Sequence, residues 1–180
     1  KDISVLQAAA AVGQLELMGK YRALFLKKGL KLGQILLTRE DMTRRKQYLN
    51  ITNTIENLLK FKVIPIINEN DSSAVEEIKF GDNDRLAALV TSITESDLLI
   101  ILSDIDGLYD KNPQLYSDAR LITFVEKITP SIEKLAGGVG SEYSLGGMVS
   151  KLKAAKICSF LHIPMVIANS AEEKVLLRII

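Results

Sequence analysis

The sequence predicts an α/β fold built on parallel strands with helices over both faces. Three observations carry that expectation. Short apolar runs stand at residues 63–67, 98–102 and 165–168, each too brief for a helix and of the length and composition of a buried strand. Segments with the apolar spacing of helices separate these runs. No internal repeat or low-complexity linker interrupts the alternation. Strands separated by helices imply βαβ units, whose connections leave the strands parallel.

Taken in order, residues 5–26 are rich in Ala, Leu and Met, with Gly13 and Gly19 as weak interruptions. They read as one or two helical stretches ending at Gly29, which suits a C′ glycine. Residues 30–37 follow as a short strand. Helical spacing returns over 38–60, with Tyr48, Leu49, Ile55, Leu58 and Leu59 expected inward and Arg44, Arg45 and Lys46 outward. The run at 63–67 is a buried strand, 68–81 is polar and loop-like, and 82–94 is helical. Residues 98–102 are the most apolar short run in the chain and a second buried strand. Residues 119–128 alternate loosely, as a strand does. Pro130 opens a short helix that ends at Gly137-Gly138. Gly146 and Gly147 precede a helix over 148–161, residues 165–168 form a third buried strand, and 172–180 begin another helix.

With 180 residues the chain supports one domain with a substantial core. Hydrophobic residues make up 47% and charged residues 25%, the balance of an ordinary soluble protein. Lys and Arg number 23 against 22 Asp and Glu, a net charge of +1, so no electrostatic case exists for nucleic acid or a polybasic membrane surface. No apolar run is long enough to span a bilayer, and the opening residues lack the apolar core of a signal peptide. The single cysteine, Cys158, excludes an internal disulfide and fits a reducing compartment. These features together predict a cytoplasmic protein. The single histidine, His162, rules out most histidine-based catalysis, and one His with one Cys cannot assemble a zinc site. Both residues read as core packing and a helix end.

Ligands of open α/β sheets bind beyond the carboxyl ends of the strands. Three polar clusters are expected there: Asn68-Glu69-Asn70-Asp71 directly after one apolar run, Ser103-Asp104 directly after another, and Gly81-Asp82-Asn83-Asp84 at the start of a helix. A fourth element suits the same edge. Gly146-Gly147-Met148 leads into a helix that carries Lys151 about one turn inside. Glycines let backbone amides approach an anion, a helix start favours negative charge, and a lysine adds a mobile cation. That combination suits phosphate, although it is neither a P-loop nor a dinucleotide fingerprint.

Each cluster also has a plainer reading. Gly81-Asp82-Asn83-Asp84 serves as a turn and N-cap, and Asn68-Glu69-Asn70-Asp71 as a solvated loop. Asp106-Gly107 reads as a tight turn, and Lys151 as a solvated lysine like Lys153 and Lys156. What resists these readings is their joint placement.

The stretches AAAAVGQLELMGKY (8–21), QILLTREDM (34–42), YLNITNTIENLL (48–59), VIPIINEND (63–71), IKFGDNDRLAALV (78–90), SDIDGLYDKNP (103–113) and GGMVSKLKAA (146–155) carry a resemblance to the glutamate 5-kinases of the amino acid kinase family. They cover nearly the whole chain in the family's order. The NEND and FGDND pair is the most discriminating, since it separates glutamate kinases from uridylate kinases, aspartokinases and carbamate kinases.

The resemblance implies a three-layer αβα sandwich on a mainly parallel sheet and phosphoryl transfer from ATP to the side-chain carboxylate of L-glutamate. That reaction is the first step of proline biosynthesis, with Mg²⁺ accompanying ATP and proline as the usual feedback inhibitor. It further implies that Asp71 and Asn83 hold the amino acid, with Asn68 shaping that pocket, and that Asp84 orients the catalytic lysines and metal-bound phosphates. Ser103 and Asp104 would line the nucleotide site. Leu145, Gly146, Gly147, Met148, Val149, Ser150 and Lys151 would follow the ATP phosphates, with Lys151 stabilising transition-state charge. The family also associates into homo-oligomers, and the helices flanking residues 30–37 offer apolar surface for that.

Several departures accompany the resemblance. The family's opening strand with its lysine and Gly-Ser loop, and a later Ser-Ser-Gly-Ala turn, are not among these residues. Residues 1–180 are therefore expected to be one kinase domain without its first portion, and inactive by themselves. The usual Gly-Thr-Gly-Gly-Met appears as Ser144-Leu145-Gly146-Gly147-Met148, and Asn112-Pro113 replaces an Asp-Pro. The C-terminal accessory domain of many bacterial members is not represented. Two alternatives stand beside this reading: a non-catalytic sensor of glutamate or proline, and a sibling kinase of another small acid.

Overall fold

A computed structural model describes residues 2–73, 83–137 and 146–180. The chain divides into two compact units, Lys1–Leu86 and Ala87–Ile180, with the division inside one helix. The α/β class and the parallel strand pairing are as the sequence predicts.

The first unit opens with helix α1 (Ile3–Leu26). Asp2 caps it, accepting from the Ser4 N–H at 3.0 Å and the Ser4 hydroxyl at 2.8 Å. At the other end the Leu30 N–H donates to the Phe25 carbonyl and the Gly29 N–H to the Leu26 carbonyl, with Gly29 at φ +71. This is a Schellman closure, with glycine where the left-handed backbone requires it. The two candidate stretches are thus one uninterrupted helix.

Strand β1 (Lys31–Leu37) leads into α2 (Arg39–Thr43) and α3 (Arg45–Lys60), then into β2 (Val63–Glu69). Thr38 and Asp41 form a capping box: the Thr38 N–H donates to Asp41 Oδ2 at 2.7 Å, and the Asp41 N–H to Thr38 Oγ1 at 3.4 Å. The expected single helix over 38–60 breaks at Arg44, whose ψ of 115° leaves the helical region. Within α3, Ile55 is 1% exposed and Tyr48 and Leu58 are half-buried. Leu49 and Leu59 are exposed instead of inward. Each follows an inward residue by one position, a rotation of about 100° that carries it off the buried stripe. β1 and β2 pair in parallel from Lys31↔Val63 to Leu37↔Glu69, so β1-α2-α3-β2 is a βαβ unit.

Helix α4 (Asn83–Thr94) begins in the first unit and continues into the second. There β3 (Leu99–Ser103), α5 (Pro130–Ala136), α6 (Gly146–Phe160), β4 (Met165–Asn169) and α7 (Val175–Ile179) follow. β3 and β4 pair in parallel from Leu99↔Met165 to Ser103↔Asn169. Ala88, Ile101, Ala154 and Cys158 form one core cluster; Leu108, Ala136, Met148 and Leu152 form another. The Cys158 thiol is pushed up in pKa by burial, against a hydrogen bond from Thr91. His162 closes α6 in the left-handed conformation, φ 58. Both residues thus have the packing and helix-end places expected of them.

Two further sequence expectations change. Residues 119–128 form no strand; among the described residues their only pairing is an isolated antiparallel bridge between Leu121 and Tyr109. Loose alternation without a neighbour to complete a ladder does not hold a strand. The three strands expected to be buried are mostly half-buried, and Leu102 is 45% exposed; among the described residues each pairs with a single neighbour.

Candidate functional site

In the first unit, β2 delivers its carboxyl end to a cleft of mixed polar and apolar lining. The ladder is complete through Glu69, and the Asn70 N–H still donates to the Leu37 carbonyl at 2.8 Å, so the chain leaves the sheet only at Asp71. The cleft holds about 280 Å³ and is lined by Ala10, Ala11, Gln14 and Leu15 of α1, Gln34 and Leu36 of β1, and Glu69, Asn70, Asp71 and Ser72. Drug-sized pockets run roughly 300–1,000 Å³, so this volume suits a ligand the size of an amino acid. Glu69, a member of the Asn68–Asp71 cluster with no individual role assigned above, is 9% exposed.

Asn68 is the hub beside this cleft. Its Nδ2 donates to Gln14 Oε1 at 2.9 Å, and its Oδ1 accepts from Asn83 Nδ2 at 3.1 Å. Two polar motifs fifteen residues apart are thereby joined through their amides. Asn83 is the first residue of α4 and Asp84 lies in its first turn, where a carboxylate complements the helix dipole. Ser72 Oγ donates to Asn70 Oδ1 at 2.6 Å and the Ser73 N–H to the Asn70 carbonyl at 3.1 Å, fixing the turn after the strand. Gly81 and Asp82 lie outside the described residues.

In the second unit the carboxyl ends of β3 and β4 carry another polar group. Ser103 and Asn169 are register partners at the strand ends, and the Ser170 N–H donates to the Ser103 carbonyl at 2.7 Å. Ser103 Oγ donates to Asp104 Oδ1 at 3.1 Å. Asp106 accepts from Asn169 Nδ2 and from the Tyr109 hydroxyl, each at 2.9 Å. The Asn169 bond first, and then the Tyr109 bond, hold the Asp106 carboxyl below its usual range. The same contact raises Tyr109 above its own. Asp106 is therefore more than half of a tight turn. It ties the segment after β3 to the end of β4.

Gly146 and Gly147 form the first turn of α6 rather than a loop ahead of it. Met148, Ser150 and Lys151 are buried at 3%, 7% and 8% exposure, and Val149 is half-buried. Lys151 Nζ donates to the Gly147 carbonyl at 3.5 Å, one turn back. Lys153 and Lys156 are exposed, and Lys156 pairs with Glu133 at 2.8 Å. Burial thus separates Lys151 from its helix neighbours, since lysines are almost never buried without a partner or a task. Met148 also borders a small hollow of about 50 Å³ with Leu108, Tyr109 and Pro113. Leu145 lies outside the described residues. Among the described residues no group of three His, Cys, Asp or Glu side chains is placed to hold a metal ion, and no helix is long and apolar enough to cross a membrane.

Sequence reasoning missed Gln14 and Asn169. Asn169 follows the apolar run 165–168 directly, so the rule that singled out Asn68 and Ser103 reaches it too. Gln14 carries no such signal, being one polar residue in an Ala- and Leu-rich helix.

The family model of the amino acid kinase family matches residues 1–169. The chain is 54% identical over 179 residues to a glutamate 5-kinase of Caldanaerobacter subterraneus subsp. tengcongensis, covering 99% of this chain and 48% of that protein. It is 54% identical over 182 residues to a glutamate 5-kinase of Methanosarcina barkeri, covering 100% of this chain and 48% of that protein. Identity to a glutamate 5-kinase of Clostridium acetobutylicum is 49% over 180 residues, covering 100% of this chain and 67% of that protein. The chain thus spans about half the length of the first two of these relatives.

Proposed function

The chain belongs to the amino acid kinase family, and from that premise we propose that the protein transfers the γ-phosphoryl group of ATP to the side-chain carboxylate of L-glutamate. The observation that carries the reading is the Asn68–Asn83 hydrogen bond, which joins the NEND and FGDND motifs beside a cleft of amino-acid size. Resemblance to glutamate 5-kinases over the whole chain supports the choice of glutamate.

In this reaction one side-chain carboxylate oxygen attacks the γ-phosphorus. The new O–P bond forms as the bond to the β,γ-bridging oxygen breaks, and ADP leaves with that electron pair. The acceptor carboxyl, with a pKa of about 4.3, is already ionised at neutral pH. No proton moves and no general base is required, in keeping with the scarcity of histidine.

What remains is positioning and neutralisation of charge. Asp71 and Asn83 hold the amino acid, with Asn68 fixing the Asn83 amide. Ser103 and Asp104 line the nucleotide site, and residues 145–151 (Leu145, Gly146, Gly147, Met148, Val149, Ser150, Lys151) follow its phosphates. Lys151 stabilises the charge that builds in the transition state, and its partial desolvation strengthens that effect. Asp84 orients the cationic groups. Mg²⁺, when bound with the triphosphate, would supply further neutralisation of its charge.

The reading extends to a cytoplasmic enzyme of proline biosynthesis that proline inhibits. It extends also to a homo-oligomer that covers the exposed apolar residues of α1, among them Val12, Leu15 and Leu24. The test is glutamate- and ATP-dependent hydroxamate formation by the full-length protein. Lys151→Ala should lower kcat by at least a hundredfold while glutamate binding persists. Equal rates in the two proteins would remove Lys151 from the reaction, and absence of hydroxamate in the wild type would defeat the glutamate assignment.

A further inference from the structure

We propose that Gln14 is a substrate-binding residue of the cleft, its Nε2 donating a hydrogen bond to a carboxylate oxygen of the bound amino acid. The proposal rests on the glutamate-kinase reading and adds a residue that the family motifs leave without a role. Gln14 lines the cleft together with Gln34, Glu69, Asn70 and Asp71. In the amide orientation that satisfies the relay, its Oε1 is engaged by Asn68 Nδ2, and Asn68 is in turn engaged by Asn83. The Gln14 carboxamide is therefore held in place from one side. Its Nε2 is buried and, among the described residues, has no hydrogen-bond partner.

A buried donor left unmade is costly, and native structures keep few of them. A mid-helix position offers an alternative, since a glutamine there can swing its amide into water, yet Gln14 keeps Nε2 buried. Its acidic neighbours Glu69 and Asp71 suit the ammonium of an amino acid, and they supply no hydrogen-bond donors for the carboxylates. A neutral amide donor fills that need while adding no charge. Gln14 thus reads as a specificity device. An acceptor oxygen completes its hydrogen bonds, and a ligand lacking one leaves the amide unmade.

The experiment uses the full-length protein and two variants, Gln14→Glu and Gln14→Met. The first retains an acceptor for Asn68 and removes the donor; the second removes both polar atoms at similar length. L-glutamate binding is measured by calorimetry and its KM by turnover, with the KM for ATP as the internal control. Both variants should weaken glutamate binding and raise its KM tenfold or more, with the KM for ATP within twofold of wild type. A folded Gln14→Glu variant whose glutamate affinity stays within twofold overturns the proposal, and so does loss of fold in both variants, which would make the amide purely structural. Failure of the kinase reading looks different: the wild type would turn over no ATP with glutamate, while the calorimetric comparison still decides whether Gln14 contacts the amino acid.

Discussion

Asp106 shows how much a single exposed carboxylate can organise. It accepts from Asn169 and from Tyr109, and the two bonds lower its own titration and raise that of Tyr109. The Asp106 bonds are strongest when its carboxyl is ionised, so this tether is present above the ordinary carboxylate value of 3.8 and is lost as pH falls through the depressed folded value. The Tyr109 bond needs the phenol protonated; it is complete below the ordinary 10.0 and is lost as pH rises through the elevated one. Carbon-detected NMR titration should therefore find the Asp106 carboxyl below its usual value in the wild type and moved upward in Asn169→Ala. An unchanged titration in that variant would remove Asn169 as the main cause. The sequence displayed Asp106 only as half of a turn, because its partner lies sixty-three residues away and no local pattern encodes so distant a bond. Lys151 was the opposite case. The glycines before it marked it in the sequence, and the structure adds the burial that separates it from Lys153 and Lys156.

Among the elements, those with strong local signals were the ones the sequence specified well. Gly29 closes α1 as its position suggested, and Pro130 stands at the first position of α5 behind the Thr129 cap, the place where a missing N–H costs nothing. His162 and Glu95 close α6 and α4 in the same left-handed conformation, φ 58 and 47, although neither is the glycine that this backbone favours. Their left-handed backbones are imposed by the turns that follow. The Ile163 N–H donates to the Cys158 carbonyl and the Ser96 N–H to the Thr91 carbonyl. A glycine at position 162 relieves the Cβ strain of that conformation and gives some back in chain entropy. His162→Gly should accordingly raise stability by up to about 1 kcal/mol in denaturant unfolding, and a clear destabilisation would mean that the imidazole itself holds the turn. Ile55 belongs to the same scale, as the one fully buried residue of α3. Ile55→Ala should cost about 2–5 kcal/mol, read as a lower unfolding midpoint, whereas Leu59→Ala on the exposed side should cost little. The break at Arg44 and the absent strand over 119–128 were not legible, since both depend on what the segment packs against rather than on its own residues.

At the scale of the whole molecule, the α/β class, the parallel pairing and the family all follow from the alternation of apolar runs and helical segments together with the order of the motifs. The site was legible wherever a polar residue directly follows a strand, and illegible at Gln14, which reaches the cleft from the middle of a helix. A net charge of +1 and a single histidine both fit the proposed transfer to an acceptor that is already ionised. The most direct test of that chemistry follows the oxygen. L-glutamate labelled with ¹⁸O in its side-chain carboxylate is turned over with ATP by the full-length protein, and the acyl phosphate product is allowed to cyclise, its amine expelling phosphate. Phosphorus NMR of the released phosphate should show one ¹⁸O, carried over from the carboxylate that attacked the γ-phosphorus. Release of unlabelled phosphate alone would mean that water was the acceptor and would contradict the proposed reaction.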